Sequence, residues 1–391
     1  MRPLEILPIK KDDPAASAFA WLLESGIQDT SENSQARGGV NAWFDLRSQS
    51  YLFFYSEITG YAVNAFLFYY SVTGEVSYLD AAIQAADWLL KTQYPENGLI
   101  RTRVNRTVYH GSYFDSWIFT FDQWVVIYGL SNLSQAAGKP VYLEAAQRMA
   151  RFLIKHTVRE DGLFYPIFDV ENKKPLAPGD KWSRQSGSFH AKALLALSKL
   201  QGLSRDDVYH PYAQRLAERV LSLQQGNGRF ITQDDEESTH LHPHLYSLEG
   251  LLSLWLSEKD EKCLLAVEKG LKWVLNHQLE NGVLYSSFKN GSFLPYVRAD
   301  ILAQSLRLGT ILLQQGLLKE SRFQLERLRE KLLSYQILAG SQKGGFLYGQ
   351  EQDGIIHYHV NAWVTMFAAQ ALWLYDSFLP ANQLYDMSFF V

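Results

Sequence analysis

The chain has 391 residues, 47% hydrophobic and 20% charged, with a formal net charge of −4. This is the composition of a globular protein with a sizeable core, and the absence of a basic face sets nucleic acid aside as a partner. A single cysteine, Cys263, excludes an internal disulfide, and no apolar run approaches the roughly 20 residues that a membrane span requires.

Residues 1–13 read as a short charged arm without the apolar stretch of a secretion leader, which points to the cytoplasm. From there one unit recurs six times: an amphipathic helix rich in small residues, a glycine-punctuated loop, and an aromatic-rich helix. Ala81, Ala85, Trp88 and Leu89 return without gaps as Ala145, Met149, Phe152 and Leu153, and partial copies follow in Ala217, Val220 and Leu221 and in Gly270, Trp273 and Val274. Ala18, Trp21 and Leu22 supply the first copy. Two-helix units at such a period stack to bury each other's apolar faces.

The amphipathic helices are predicted near 14–25, 77–93, 140–156, 210–225, 260–278 and 320–337, and their charged faces make them the outer layer. The loops that follow carry Gly39-Val40, Gly98-Leu99, Gly162-Leu163, Gly228-Arg229-Phe230, Gly282-Val283 and Gly345-Phe346, where glycine reverses the backbone and an apolar residue pins it. The second helices, near 55–72, 114–131, 185–202, 244–256, 298–315 and 359–377, are apolar on most faces and so belong inside. The expected architecture is an all-α, single-domain α/α toroid of six inner and six outer helices over residues 1–391, with a tail at 378–391. Tight inner-to-outer turns and long outer-to-inner loops put every inner N-terminus on one face.

A ligand site belongs on that face, and each unit sends polar groups to it. Glu57 opens the first inner helix; Asp115 and Asp122 lie in the second. Arg184 and His190 introduce the third, and His244 and Tyr246 the fourth. Arg298 and Asp300 open the fifth, and His359 and Trp363 the sixth. Carboxylates among aromatic rings suit carbohydrate chemistry: rings stack on sugar C–H faces, and two carboxylates can protonate a leaving oxygen and activate water. Asp115 is the expected acid, with Asp300 or Glu57 as its partner. Arg184, His190, His244, Tyr246, Arg298, His359 and Trp363 are the expected binding groups. An Asp at a helix N-terminus also serves as a cap, and Asp122 reads as a deeper hydrogen-bond partner. His240, His242 and His244 alternate, but no acidic or cysteine ligand lies at a metal-site spacing, so no metal or other cofactor is expected.

Gly38-Gly39-Val40 with Ser56 to Tyr61, Tyr78-Leu79 and Ala86-Asp87-Trp88 resembles the opening of six-hairpin glycosidase-like proteins associated with bacterial surface-polysaccharide genes. Phe114-Asp115, His242 to Leu252 and Arg298 to Leu308 resemble their later inner helices. The resemblance implies the toroid and a sugar ligand but no particular reaction; the paired carboxylates make a glycoside hydrolase acting on an oligosaccharide or uronic-acid glycan the first expectation. Related toroids are epimerases, and a lyase or a non-catalytic glycan-binding component would use the same aromatics. The oligomeric state is not legible.

Overall fold

The computed structural model describes residues 13–105, 116–204, 207–232, 237–351, 355–377 and 390. Among these are twelve α-helices, numbered in chain order. The outer six are α1 (Pro14–Glu24), α3 (Val76–Lys91), α5 (Pro140–Thr157), α7 (His210–Ser222), α9 (Glu261–Leu275) and α11 (Arg322–Leu333). The inner six are α2 (Ser56–Thr73), α4 (Thr120–Ala137), α6 (Ala193–Leu203), α8 (Leu241–Glu258), α10 (Ala299–Gln314) and α12 (Ala362–Asp376). Each inner helix packs on the next and α12 packs on α2, so the inner layer closes into a ring. The α/α toroid read from the sequence is the fold.

The inner layer is dry and tightly packed. Val126 and Gly129 of α4 face Gly60 of α2, where the backbones come so close that a methyl group on Gly129 would lie 2.8 Å from the Gly60 carbonyl oxygen. α1 closes the outer layer by packing on α12, and Phe19 stacks on Tyr69 at 4.1 Å between ring centroids.

The loops are pinned by a repeated device. At the sixth loop Gly344 has φ +95°, and a Cβ there would lie 2.1 Å from the Ser17 carbonyl oxygen of α1, so only glycine fits. In three of the units a glutamine after the preceding outer helix ties such a loop to the next outer helix. Gln28 Nε2 donates to the carbonyls of Gly38 and Ala81, Gln224 to those of Gly228 and Ala266, and Gln336 to those of Gly344 and Pro14. From the inner side a hydroxyl or ring nitrogen caps the amide that the loop would leave buried. Thr59 Oγ1 accepts from Val40 N, His244 Nδ1 from Phe230 N and Thr365 Oγ1 from Phe346 N.

The long loops are less irregular than the sequence suggests. Short antiparallel strands lie on the site face, among them a four-stranded sheet built round the hairpin Tyr285–Lys289 and Ser292–Arg298. Another joins Trp43–Asp45 to His359–Asn361 and so seals the first unit to the sixth. Trp117–Phe119 is also a strand, which delays the start of α4 to Thr120 from the expected 114. The third inner helix is likewise shortened, entered through 3-10 turns at Trp182–Arg184 and Ser188–Lys192. No helix among the described residues is long and apolar enough to cross a membrane.

Candidate active site

A cavity of about 300 Å³ opens on the loop face, where the inner N-termini converge. Helical periodicity explains which residues reach it. Residues two, six and nine from an inner N-terminus lie on one stripe, facing the ring axis, whereas residue four faces the outer layer. The second position carries Glu57, Phe121, His242, Asp300 and Trp363. The sixth carries Tyr61, Tyr246, Gln304 and Phe367, and the ninth Glu249, Arg307 and Gln370.

Glu57, Tyr246, Arg298 and Trp363 come together on the cavity wall, with Asp122, His242, Tyr55 and Arg103 beside them. A helix starting at 114 would put Asp122 two turns deep, as a buried hydrogen-bond partner. With the start at Thr120 it falls in the first turn, at the wall. Asp115 lies outside the described residues.

Glu57 and Asp122 lie on the same wall of the cavity. The Tyr55 hydroxyl and the Arg103 guanidinium stand beside both carboxyl groups. Burial raises Glu57 to about 7, opposed by the Tyr55 hydroxyl and by the charges of Lys192 and Arg103. Burial and the nearby Glu57 charge push Asp122 well above the usual carboxylate range. Both groups therefore keep their protons to higher pH than ordinary side-chain carboxyls.

Asp300 has the opposite character. It is fully buried, and Arg298 forks onto it while Trp363 Nε1 donates to Oδ2 at 3.1 Å. Against the effect of burial, Arg298 and His242 hold its pKa below the ordinary value. It is a permanent anion facing three partners, a position suited to fixing Arg298 and Trp363 rather than to exchanging protons.

His190 and His244 do not reach the cavity. His244 occupies the outward fourth position of α8 and His190 lies in the 3-10 turn before α6; they are 0% and 1% exposed. His244 caps Phe230 N, and His190 packs between the rings of Phe164 and Phe189. Burial lowers them to about 4 and about 3, so both are neutral. The expectation of a binding role for these two gives way to one in holding loops. Arg184 sits behind the Trp182 wall with its guanidinium over the Trp117 ring, 5.5 Å from the centroid. His359 lies on the seam outside the cavity, stacked on Trp43 and 3.6 Å from Asp45. The histidines at 240, 242 and 244 diverge, toward Ser287, the cavity and Phe230 respectively.

Beneath the cavity lies a buried charged layer. Lys192 Nζ is 2.5 Å from Glu249, which also accepts from Arg307, and Arg307 reaches Gln370 at 2.7 Å. Lys192 stands over the rings of Tyr61, Tyr246 and Phe367, all sixth-position residues. Phe390 covers Arg307 from below, 4.1 Å from ring centroid to guanidinium carbon. Burial brings Lys192 down to about 8 despite Glu249. The interior position of Glu249 was visible in the sequence, but the cations that satisfy it come from units 58 residues apart or nearly so and carry no local signal.

A closed ring of six helical hairpins with acidic residues and aromatics at its mouth is a six-hairpin glycosidase-like protein. Residues 18–260, more than half of the chain, match the model of glycosyl hydrolase family 76, and the chain belongs to that family. The family is carbohydrate-active. No curated protein matches the chain significantly. Among solved structures it is similar to cellobiose 2-epimerase from Bacillus thermoamylovorans, with 14% identity over 92% of this chain and 98% of that one and a TM-score of 0.75. D-mannose isomerase is similar at 14% identity over 95% and 100%, TM-score 0.74. The family 76 α-mannanase of Bacteroides thetaiotaomicron shares 14% over 71% and 81%, TM-score 0.52. At these identities the likeness is one of fold.

Proposed function

We propose that the protein hydrolyses a glycosidic bond of an oligosaccharide, with Asp122 as proton donor and Glu57 as the carboxylate that activates water or attacks the anomeric carbon. One observation carries this: two carboxyl groups from adjacent inner helices share the cavity wall beside one phenol and one guanidinium, in surroundings that raise both of their pKa values. Asp122 keeps the proton that a leaving oxygen needs, and Glu57 ionises near neutrality. Aromatic rings at Trp363 and Tyr246 offer faces for the sugar, and Arg103 stands beside the developing charge.

α-Mannosides are the first substrates to test, because the family neighbour is an α-mannanase. Uronides form the second panel, since Arg103 and Lys181 line the same cavity. Asp122→Asn is expected to lose about 10²–10⁴-fold in kcat on natural glycosides and far less on aryl glycosides, whose leaving groups need no proton. Equal loss on both would remove Asp122 from the acid role. Asp115→Asn is assayed alongside; selective loss there would move the role to Asp115.

A second reading, a sugar epimerase, is favoured by neutral His242 beside Tyr246 on the same wall, and by fold likeness to cellobiose 2-epimerase. Deuterium incorporation at a sugar carbon in D₂O, without release of a new reducing end, would select it over hydrolysis.

A further inference from the structure

On the carbohydrate reading of this cavity, His242 has a defined way of meeting a bound sugar. His242 is 5% exposed and lines the cavity from the second position of α8. Its Nδ1 lies 2.7 Å from Gln304 Oε1 and 3.4 Å from Asp300 Oδ2, facing two acceptors. The orientation of the Gln304 amide is set from behind. Gln304 Nε2 lies 3.2 Å from Glu249 Oε1, and an ionised carboxylate only accepts, so the amide nitrogen must face Glu249 and the amide oxygen must face the histidine.

Glu249 is held ionised, against the effect of its burial, by Lys192 and Arg307. The chain of constraint therefore fixes the proton of His242 on Nδ1 and leaves a lone pair on Nε2. Burial lowers the His242 pKa to about 4, so the ring stays neutral near pH 7. Nε2 makes no hydrogen bond to any described residue and is not sealed off by protein, which leaves it open to the cavity.

We propose that His242 Nε2 accepts a hydrogen bond from one hydroxyl of the bound hexose, and that Glu249 and Gln304 are positioning residues that dictate this tautomer. A site with a fixed acceptor and no donor at that point selects a hydroxyl over a hydrogen or an ether oxygen, so it reads one stereocentre of the sugar. The acceptor is independent of the Glu57–Asp122 pair, and binding can be measured without turnover.

Two experiments decide it. Long-range ¹H–¹⁵N spectra of histidine-labelled protein, assigned with His242→Phe, should show the Nδ1–H tautomer at His242. Gln304→Met, which removes the acceptor while keeping the side-chain length, should give a mixture of tautomers. Calorimetry with methyl α-D-mannoside, methyl α-D-glucoside and their monodeoxy analogues should show one analogue bound about tenfold more weakly than its parent. In His242→Phe that analogue and parent should bind alike. An Nε2–H tautomer in the native protein, equal losses for every deoxy sugar, or no binding across the panel would overturn the proposal. A protein that gives the expected tautomer and deoxy effect but releases no sugar would keep this proposal and overturn the hydrolase reading.

Discussion

Asp300 and Glu57 both occupy the second-position layer and should respond oppositely to neutralisation. Asp300→Asn leaves Arg298 and the edge of His242 without their anion inside the ring, and breaking a buried pair in this way costs about 3–5 kcal/mol. Urea unfolding of the two proteins measures it. Glu57 is stressed by its surroundings. Because its folded pKa is raised, the native state binds more protons than the unfolded chain between the ordinary Glu value and about 7, so its contribution to stability falls as pH rises through that window. Glu57→Gln should therefore stabilise the protein at pH 8 by about 1–2 kcal/mol after allowance for its partial exposure, and by almost nothing at pH 4. The same ionisation should make kcat/KM rise through pH about 7 before it declines as Asp122 loses its proton. At this scale the sequence was half legible. Glu57, Tyr246, Arg298 and Trp363 stand out as polar or aromatic groups at inner N-termini, and the cavity gathers them. His190 and His244 look equally exposed in the sequence, but two residues of register turn them toward the outer helices. Counting from a correctly placed N-terminus would have separated His242 from His244 and brought Asp122 to the wall.

At the level of elements, the loop glycines separate backbone conformation from close approach. Gly74 has φ +74° with nothing within 4 Å of a built Cβ, so Gly74→Ala should cost only about 1 kcal/mol of left-handed strain. Gly344→Ala adds a collision with the α1 backbone and should cost at least about 2 kcal/mol more, read as the difference in unfolding midpoint multiplied by the slope. The helices were legible because their signals are local: small residues at a helical period outside, continuous apolar runs inside, and glycine between; the starts of α4 and α6 were not, because a strand and 3-10 turns precede them. The strands were not. Trp117–Phe119 and Trp43–Asp45 are three-residue segments whose pairing partners, Ile167–Asp169 and His359–Asn361, lie far along the chain, and three residues give no period to detect.

Across the whole molecule, cohesion depends on closure. Trp21 of α1 is 2% exposed, donates to Gln342 at 2.9 Å, and lies beneath Gly345 of the sixth loop. Trp21→Ala should cost about 3–5 kcal/mol although the residue is remote from the cavity, and calorimetry should show the entire transition shifting rather than a local one. The seam has a further consequence in time. The partners of Trp21 are made more than 300 residues after it, and the wall that Glu57 begins is completed only by Trp363. At about 5–20 residues per second, roughly 15–70 s separate the two ends of the seam during synthesis. Throughout that interval the apolar face of α1 has no lasting partner on its α12 side, so a nascent chain on the ribosome is both inactive and adhesive. Dependence on holding chaperones should accordingly peak just before the sixth unit emerges.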